Sequence, residues 1–445
     1  MSERASVFEV SNIGLELLNS PGVEAREYKR LKGTSFSPSP KAEFNKFRAR
    51  GYKYSTKNVL GKEWAEAGIE GVGCFDDTAY LLSGLFGDAT IQTNTPAAGA
   101  NTWTWNPNGD SPDTPRTFSV LAGSSVRAMR FTNGLITGLE QVFNRDSIDV
   151  SGLILGKRVT DGVSLPSVNT AEVQTLSTTG TPSGGTFTLT VTVNGATQTT
   201  AGIAYNAAAS AVQSALEALS SVGDSAVDIA CAGGPLPTPV TVTFKTTGAL
   251  RGSNVDLIPN SAGLTGGTSP KAVIVETTPG FYLTKNSLID VQPDMINVYM
   301  DSTFANIGLT QLTRDLQASW SISGKYGPIW TLDRSQTSWA APVELAPDHE
   351  VKLTLAANAA GMALLDTMRL GQQKYVRIEA VGDPIAAAPT VNYTLIHDFA
   401  LEVTDIGEIS DSDGLSTIEW TFGLVDSTTL GGSSRHILIT DLAAL

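Results

Sequence analysis

The sequence predicts a mainly β protein with a few short helices, divided into more than one domain. Three observations lead to this fold class. The chain has 445 residues, more than one ordinary hydrophobic core contains. Apolar residues make up 41% and charged residues 17%, which excludes the disordered and membrane-embedded classes. The 43 glycines, among abundant Thr, Ser and Val, indicate strands joined by many turns.

A basic segment stands near the beginning of this acidic chain. Residues 26–57 carry ten basic and two acidic side chains, a net charge of +8 in a chain of net charge −14. Such asymmetry favours head-to-tail contact with a second copy. A solvated strand face and a grip on single-stranded nucleic acid, through the aromatics of "FNKFRARGYKYSTK", are the alternatives. The candidate contact residues are Arg26, Lys29, Arg30, Lys32, Lys46, Arg48, Arg50 and Lys53.

Local patterns then predict the elements of the first part of the chain in order. Lys46, Arg48 and Arg50 alternate with uncharged residues, which predicts a strand with one basic face. The stretch "DDTAYLLSGLFGD" predicts a helix that Asp76 or Asp77 caps and Gly87 ends. Residues 90–116 read as a long loop or irregular hairpin. Residues 117–163 alternate as strands, with a hairpin turn at "NRDS".

The segment from 169 to 280 differs in composition and predicts an inserted domain. It contains no Trp, Met or His. The order of its patterns is ββαββ: "GTFTLTVTVNG" gives a strand with Phe187 and Leu189 on its inner face, and Asn206 caps a helix over "YNAAASAVQSALEALSSVG". Residues 1–168 and 281–445 then form a first domain with a basic arm and a second domain, or the completion of the first.

The order of elements repeats on the two sides of the insertion. "DDTAYLLSGLFG" precedes the hairpin "MRFTNGLITGLEQVFNRDSIDVSGLILG", and "AAGMALLDTMRLG" precedes the hairpin "HDFALEVTDIGEISDSDGLSTIEWTFGLV". In the later helix, Leu364, Leu365 and Met368 are expected to point inward. A tandem duplication explains this order, and chance placement of helices before hairpins is the alternative.

No chemistry-bearing motif is found. There is no P-loop, HExxH motif or nucleophile elbow, and the three histidines are too dispersed for a sequence-local metal site. The "DSDG" at 411–414 fits a hairpin turn better than a calcium loop. We therefore predict no catalytic residue, cofactor or metal. Neither a secretion signal nor a run of about 18 apolar residues is present, so we expect synthesis in a cytoplasm and no membrane partner.

Three quoted stretches resemble the major tail protein, or tail tube protein, of long-tailed siphovirus-type bacteriophages. They are "IGLELLNSPGVEAREYKRLKG", "GYKYSTKNVLGKEWAEAGIEGVGCFDDTAYLLSGLFG" and "FALEVTDIGEISDSDGLSTIEWTFGLVDS". The insertion, with "GTFTLTVTVNG", "AVQSALEAL" and "SAGLTGGT", is similar to a small domain in tail proteins of actinobacterial phages. The resemblance implies β-sandwich or barrel tube domains, possibly two in tandem. Their long hairpins would form rings that stack into a DNA-conducting tube.

The resemblance also implies partners and a location. The chain would be a non-enzymatic virion protein assembled in the host cytoplasm, in homotrimeric pseudo-sixfold rings or in hexameric rings. A tape measure protein and tail terminator or distal tail proteins would contact the tube, and double-stranded DNA would pass without specific binding. Hairpin acids would give a lumen that repels DNA. These are Glu140, Asp146, Asp149, Glu402, Asp405, Glu408 and Asp413.

Two other functions compete with this interpretation. A surface adhesin or decoration protein that binds host glycans is one, although such proteins usually carry a secretion signal. A polysaccharide-active enzyme is the other, although no catalytic constellation is evident.

Overall fold

The computed structural model describes residues 10–18, 21–124, 126–163, 165, 169–193, 196–223, 228–248, 250–313, 315–333, 336–412 and 414–445. Within these ranges the protein is mainly β with a few short helices, which confirms the predicted fold class. The described strands close no barrel within the chain. None of the described helices is both long enough and apolar enough to cross a membrane.

The strands and helices are numbered in chain order. Before the insertion they are β1 (Val10–Leu15), β2 (Glu27–Arg30), β3 (Thr34–Phe47), β4 (Lys57–Val72), α1 (Phe75–Phe86), β5 (Thr90–Gln92), β6 (Asn101–Trp105), β7 (Phe118–Gly123), β8 (Ala128–Asn144), β9 (Ile148–Gly156) and β10 (Thr160–Val163). The insertion contains β11 (Glu172–Thr179), β12 (Gly184–Val193), β13 (Ala196–Thr199), β14 (Ile203–Ala204), α2 (Ala209–Glu217), β15 (Ile229–Gly233), β16 (Val240–Phe244), β17 (Val255–Asn260), β18 (Leu264–Thr265) and β19 (Lys271–Thr278).

After the insertion, two short 3₁₀ turns interrupt the strands at Pro293–Met295 and Phe304–Asn306. The remaining elements are β20 (Tyr282–Lys285), β21 (Ile296–Asp301), β22 (Asp315–Ser323), β23 (Tyr326–Ile329), β24 (Ala341–Glu344), β25 (Asp348–Ala356), α3 (Ala359–Met362), α4 (Leu364–Arg369), β26 (Lys374–Ile385), β27 (Ala388–Ile406), β28 (Ser410–Ser412), β29 (Leu415–Leu424) and β30 (Ser434–Thr440).

The chain divides into two compact units. One contains the described parts of residues 1–30, 123–128 and 162–285, and the other contains residues 31–122, 129–161 and 286–445. The long segments on the two sides of the insertion therefore belong to one unit. The division also differs from the predicted boundary at 168, because the first thirty residues group with the insertion.

The insertion has a hydrophobic core of its own. Strand β12 alternates so that Phe187 and Leu189 are buried, as the period-two pattern predicts, and the ββαββ order is present in β12, β13, α2, β15 and β16. Val212 and Leu216 on α2 face this core. The predicted cap at Asn206 is wrong, because α2 begins at Ala209. The "NG" at the end of "GTFTLTVTVNG" lies outside the described residues.

Helix α1 confirms the predicted span but not the predicted cap. Cys74 occupies the N-cap, and Gly87 ends the helix with a φ of 90°, a conformation that glycine adopts without strain. Asp76 and Asp77 lie in the first turn, where they accept hydrogen bonds from other segments. Thr440 Oγ1 donates to Asp76 Oδ1 at 2.6 Å. These acids therefore fasten the helix to its surroundings instead of capping it.

The predicted helix after β25 is divided into two short pieces, α3 and α4. Leu364 is buried as expected, but Leu365 and Met368 are only half-buried. Thr367 is buried in their place. The helix therefore packs along a narrower apolar stripe than the sequence pattern predicts.

Candidate self-association surfaces

The larger unit contains two sets of four strands that are connected in the same way. In the first set β3 pairs with β4, β4 with β9, and β9 with β8. In the second set β22 pairs with β25, β25 with β29, and β29 with β27. In both sets a helix begins three residues after the end of the second strand. Helix α1 begins at Phe75 after β4 ends at Val72, and α3 begins at Ala359 after β25 ends at Ala356. Ser37 and Ser39 of β3 then align with Ser319 and Ser321 of β22, within "SFSPSP" and "QASWSI".

One antiparallel ladder joins the two sets into an eight-stranded sheet. Strand β8 at the end of the first set pairs with β22 at the start of the second, over Leu139↔Ile322 to Asn144↔Gln317. The order of strands is therefore β3, β4, β9, β8, β22, β25, β29, β27. The junction is head to tail, because the last strand of one repeat meets the first strand of the next.

The exposed face of this sheet carries a row of glutamates. In the line of residues that are directly opposite one another on neighbouring strands, acids alternate with small residues. Glutamates two strands apart are separated by about 10 Å, so their mutual repulsion is moderate in water. The residues in order are Ser35, Glu70, Ser151, Glu140, Ser321, Glu350, Gly423 and Glu402.

The structure places the predicted lumen acids in three different settings. Glu140 and Glu402 are in the glutamate row, and Asp149 and Asp405 lie on the same face, opposite Val142 and Thr421 respectively. Asp146 is in the β8–β9 turn. Glu408 lies between β27 and β28, and Asp413 lies outside the described residues. The sequence missed Glu70 and Glu350, because only the strand register shows that they share this row.

The opposite face of the sheet is buried, and a polar network crosses it at the junction of the repeats. Gln141 Oε1 accepts hydrogen bonds from Trp320 Nε1 at 2.9 Å and from His397 Nε2 at 3.0 Å. Because the indole can only donate, the amide oxygen is fixed as the acceptor. His397 Nδ1 is then an acceptor for His436 Nδ1–H at 2.7 Å. Burial lowers the pKa of His397 to about 3, and that of His436 is well below its ordinary value, so both rings are neutral.

The two ends of the eight-stranded sheet are open. At one end, β3 pairs with β4 and with no other described strand. At the other end, β26 covers β27 only as far as Leu401, so the outer edge of 402–406 has no described partner strand. The N–H of Ile406 donates to the carboxylate of its neighbour Asp405 at 2.9 Å, while the N–H of Gly407 donates to Glu419 on β29. Ile406 therefore directs its N–H to the open edge.

Prolines modify the open edge of β3. Pro38 and Pro40 lack an N–H, and proline is tolerated in a strand only where that position faces away from a partner. Their N–H positions therefore face the open edge, which offers carbonyl acceptors but no donors at these two residues. Such an edge resists indiscriminate pairing and accepts hydrogen bonds from a strand that supplies donors.

The basic and aromatic residues are concentrated at the tip of the β3–β4 hairpin. Phe44, Phe47, Tyr52 and Tyr54 are between 54% and 74% exposed. Strand β3 ends at Phe47, and Gly51 turns the chain with a φ of 88°. The predicted basic strand face over Lys46, Arg48 and Arg50 is therefore wrong. The chain reverses between β3 and β4, and Arg48 and Arg50 lie in that turn.

The predicted basic contact set divides between the two units. In the smaller unit, Arg26 forms an ion pair with Glu276 at 3.0 Å, Lys29 with Glu27 at 3.8 Å, and Arg30 donates to Asn12. These three residues therefore already have contacts within their own unit. In the larger unit, Lys32, Lys46, Arg48, Arg50 and Lys53 are exposed, and none of them forms an ion pair with a described residue.

Among the described residues, no three His, Cys, Asp or Glu side chains are grouped so that they could hold a metal ion. Neither a family model nor a curated protein matches this chain. Function therefore has to be inferred from the sheet, its acidic face and its two open edges.

Proposed function

We propose that this chain is a structural tail-tube protein of a long-tailed bacteriophage, and that its copies join head to tail into rings. The junction between β8 and β22 supports this proposal most directly. It is a head-to-tail contact between two repeats of one chain. Strand β27 is the equivalent of β8 in the second repeat, and β3 is the equivalent of β22 in the first. Both β27 and β3 have open edges at the ends of the sheet. The open edge of 402–406 is followed by β28, which pairs with β29 and with no other described strand. This edge, residues 402–412, would pair in one copy with β3 of the next copy.

Three copies in such a ring contribute twenty-four strands to one closed sheet. With strands about 4.8 Å apart and tilted by about 40°, the opposite backbones are about 50 Å apart. Smaller barrels of about 16 to 18 strands already hold an aqueous channel, so this ring has room for a DNA duplex. Closure also removes both exposed sheet edges, which otherwise invite aggregation.

The glutamate row gives the proposed lumen its electrostatic character. Every chain would contribute Glu70, Glu140, Glu350 and Glu402 to the lumen, because all four lie on the same exposed face of the sheet. A phosphate backbone binds where Lys and Arg neutralise it, so a ring of carboxylates opposes binding. DNA would therefore pass along the tube without adhering to it.

Ring stacking would use the hairpin tip. Rings that meet by unlike faces form an open filament, which is the geometry of a tube. The exposed aromatic residues and unpaired cations at 44–54 would contact an acidic surface of the adjacent ring. Reversal of Lys46, Arg48 and Arg50 to Glu would then leave single rings that do not stack.

A proline at the open edge tests ring formation. Ile406→Pro removes the outward N–H, and because that N–H bonds only to Asp405, the described ladder loses no hydrogen bond. Ile406→Ala is the matched control, since it removes the same side chain but keeps the N–H. We expect rings or tubes of wild type and Ile406→Ala in negative-stain images, and folded monomers of Ile406→Pro.

Two results would contradict ring formation through this edge. If Ile406→Pro assembles as well as Ile406→Ala, the edge at 402–412 does not join subunits. If wild type itself remains monomeric with both edges exposed to solvent, an adhesin or decoration protein becomes the better interpretation.

A further inference from the structure

A buried lysine contacts two carboxylates in the larger unit, beyond the surfaces considered above. Lys325 Nζ lies 2.6 Å from Asp113 Oδ2 and 3.1 Å from Glu344 Oε1. The side chains of Lys325 and Asp113 are only 4% and 2% exposed. The amine nitrogen and the carboxylate oxygen are therefore in direct contact at a place where bulk water does not reach them.

Aromatic rings and backbone groups fix the arrangement. The Nζ atom lies 4.8 Å from the ring centre of Phe86 and 5.6 Å from that of Tyr326. The Tyr326 hydroxyl donates to the Leu85 carbonyl oxygen at 2.6 Å, which holds the phenol in place. These rings exclude water from the lysine, so a reaction there would not compete with hydrolysis.

Each oxygen of the two carboxylates has a distinct partner. Asp113 Oδ1 accepts the backbone N–H of Asn108 at 3.0 Å, whereas Asp113 Oδ2 faces the lysine. Glu344 Oε2 accepts the backbone N–H of Asp113 at 2.7 Å, whereas Glu344 Oε1 faces the lysine. The amine, the acid and a second carboxylate are thus held together by contacts that do not depend on the ion pair.

We propose that Lys325 and Asp113 condense to form an intramolecular amide bond, with Glu344 as the proton carrier. A proton passes from the ammonium to the Asp113 carboxylate, which leaves a neutral amine beside a carboxylic acid. Nζ then attacks the Asp113 carboxyl carbon, and the Asn108 N–H stabilises the charge that develops on Oδ1. Glu344 accepts a proton from the nitrogen and delivers it to the departing hydroxyl, which leaves as water.

The reaction is balanced without any co-reactant. One N–C bond forms, one C–O bond breaks, and one molecule of water is released. No oxidation or reduction takes place. The burial of the pair favours the product, because a neutral amide replaces two charged groups that the site does not hydrate.

The bond would connect distant parts of the chain. Asp113 lies in the segment between β6 and β7, and Lys325 lies between β22 and β23, 212 positions later in the sequence. The closed loop contains the hairpin β8–β9, the insertion and the strand that joins the repeats. A covalent link here would hold the two repeats together even when the chain is unfolded.

The mass of the full-length wild-type chain tests this proposal directly. Under denaturing and reducing conditions, we expect a mass about 18 Da below that of the sequence, the loss of one water. Protease digestion should yield one joined peptide that contains both Asp113 and Lys325. A chain of full sequence mass, or a lighter chain without joined peptides, would overturn the proposal.

Variants separate the roles of the three residues. Asp113→Asn would lose ammonia instead of water, so its product has the same mass and structure as the wild-type product. Lys325→Arg cannot form this amide and should keep its full mass. Glu344→Gln should slow bond formation by about a hundredfold to ten-thousandfold, because the proton carrier is lost. If Glu344→Gln reacts as fast as wild type, the assigned role of Glu344 is wrong.

Discussion

Neutral histidines under the β8–β22 junction predict a specific dependence of stability on pH. The pKa of His397 is about 3 in the folded protein, against an ordinary value of 6.5, because burial disfavours the charged ring. Between these values the unfolded chain binds about one more proton at this site, so folding stability falls as the pH is lowered through 6.5. The slope is about 1.4 kcal/mol per pH unit, or about 2 kcal/mol between pH 7 and pH 5.

The test replaces His397 with Phe. It compares how the free energy of unfolding of the variant and of wild type depends on pH, not their absolute stabilities. All seven tryptophans of the chain belong to the larger unit, so tryptophan fluorescence during urea unfolding reports that unit. Wild type should lose about 2 kcal/mol more than the variant between pH 7 and pH 5. Contributions from other groups, such as Asp76, are common to both proteins and cancel. Equal pH dependence of the two proteins would refute a neutral His397.

Three further substitutions have defined outcomes. Burial raises the pKa of Asp76 to about 6 from an ordinary 3.8, so stability falls as the pH rises through this interval. Between pH 4 and pH 8, Asp76→Asn should therefore lose about 2.4 kcal/mol less than wild type, measured by urea unfolding. Asp398→Asn should cost about 3–5 kcal/mol in the same assay, because buried Asp398 pairs with Arg377 at 2.7 Å and Arg435 at 2.6 Å. Leu189→Ala should cost about 2–5 kcal/mol in the smaller unit, measured by circular dichroism.

Local sequence patterns predict an element correctly when the burial of its side chains follows the order of apolar residues in the sequence. The period-two pattern around Leu189 and the span of α1 are examples, because burial on one side or in one helix follows directly from the order of apolar residues. The predicted caps are wrong at Asp76 and Asn206. Their side chains suit a cap, but the first apolar turn of α1 begins earlier, and the first turn of α2 begins later.

The candidate surfaces depend on register, which a single sequence does not supply. Glu70 and Glu140 lie in one row only because β4, β9 and β8 pair as they do, and His397 meets Gln141 although 256 positions separate them. The basic residues around Arg48 show the converse. Their alternation is that of a strand, but a hairpin of this length must reverse, and Gly51 provides the turn.

An image of the assembled filament at a resolution that separates strands tests the central proposal most directly. We expect three chains in each ring, with 402–412 of one chain hydrogen-bonded to β3 of the next and the glutamate row facing the bore. Two results would contradict it: six chains in each ring, or filaments in which both of these edges remain unpaired.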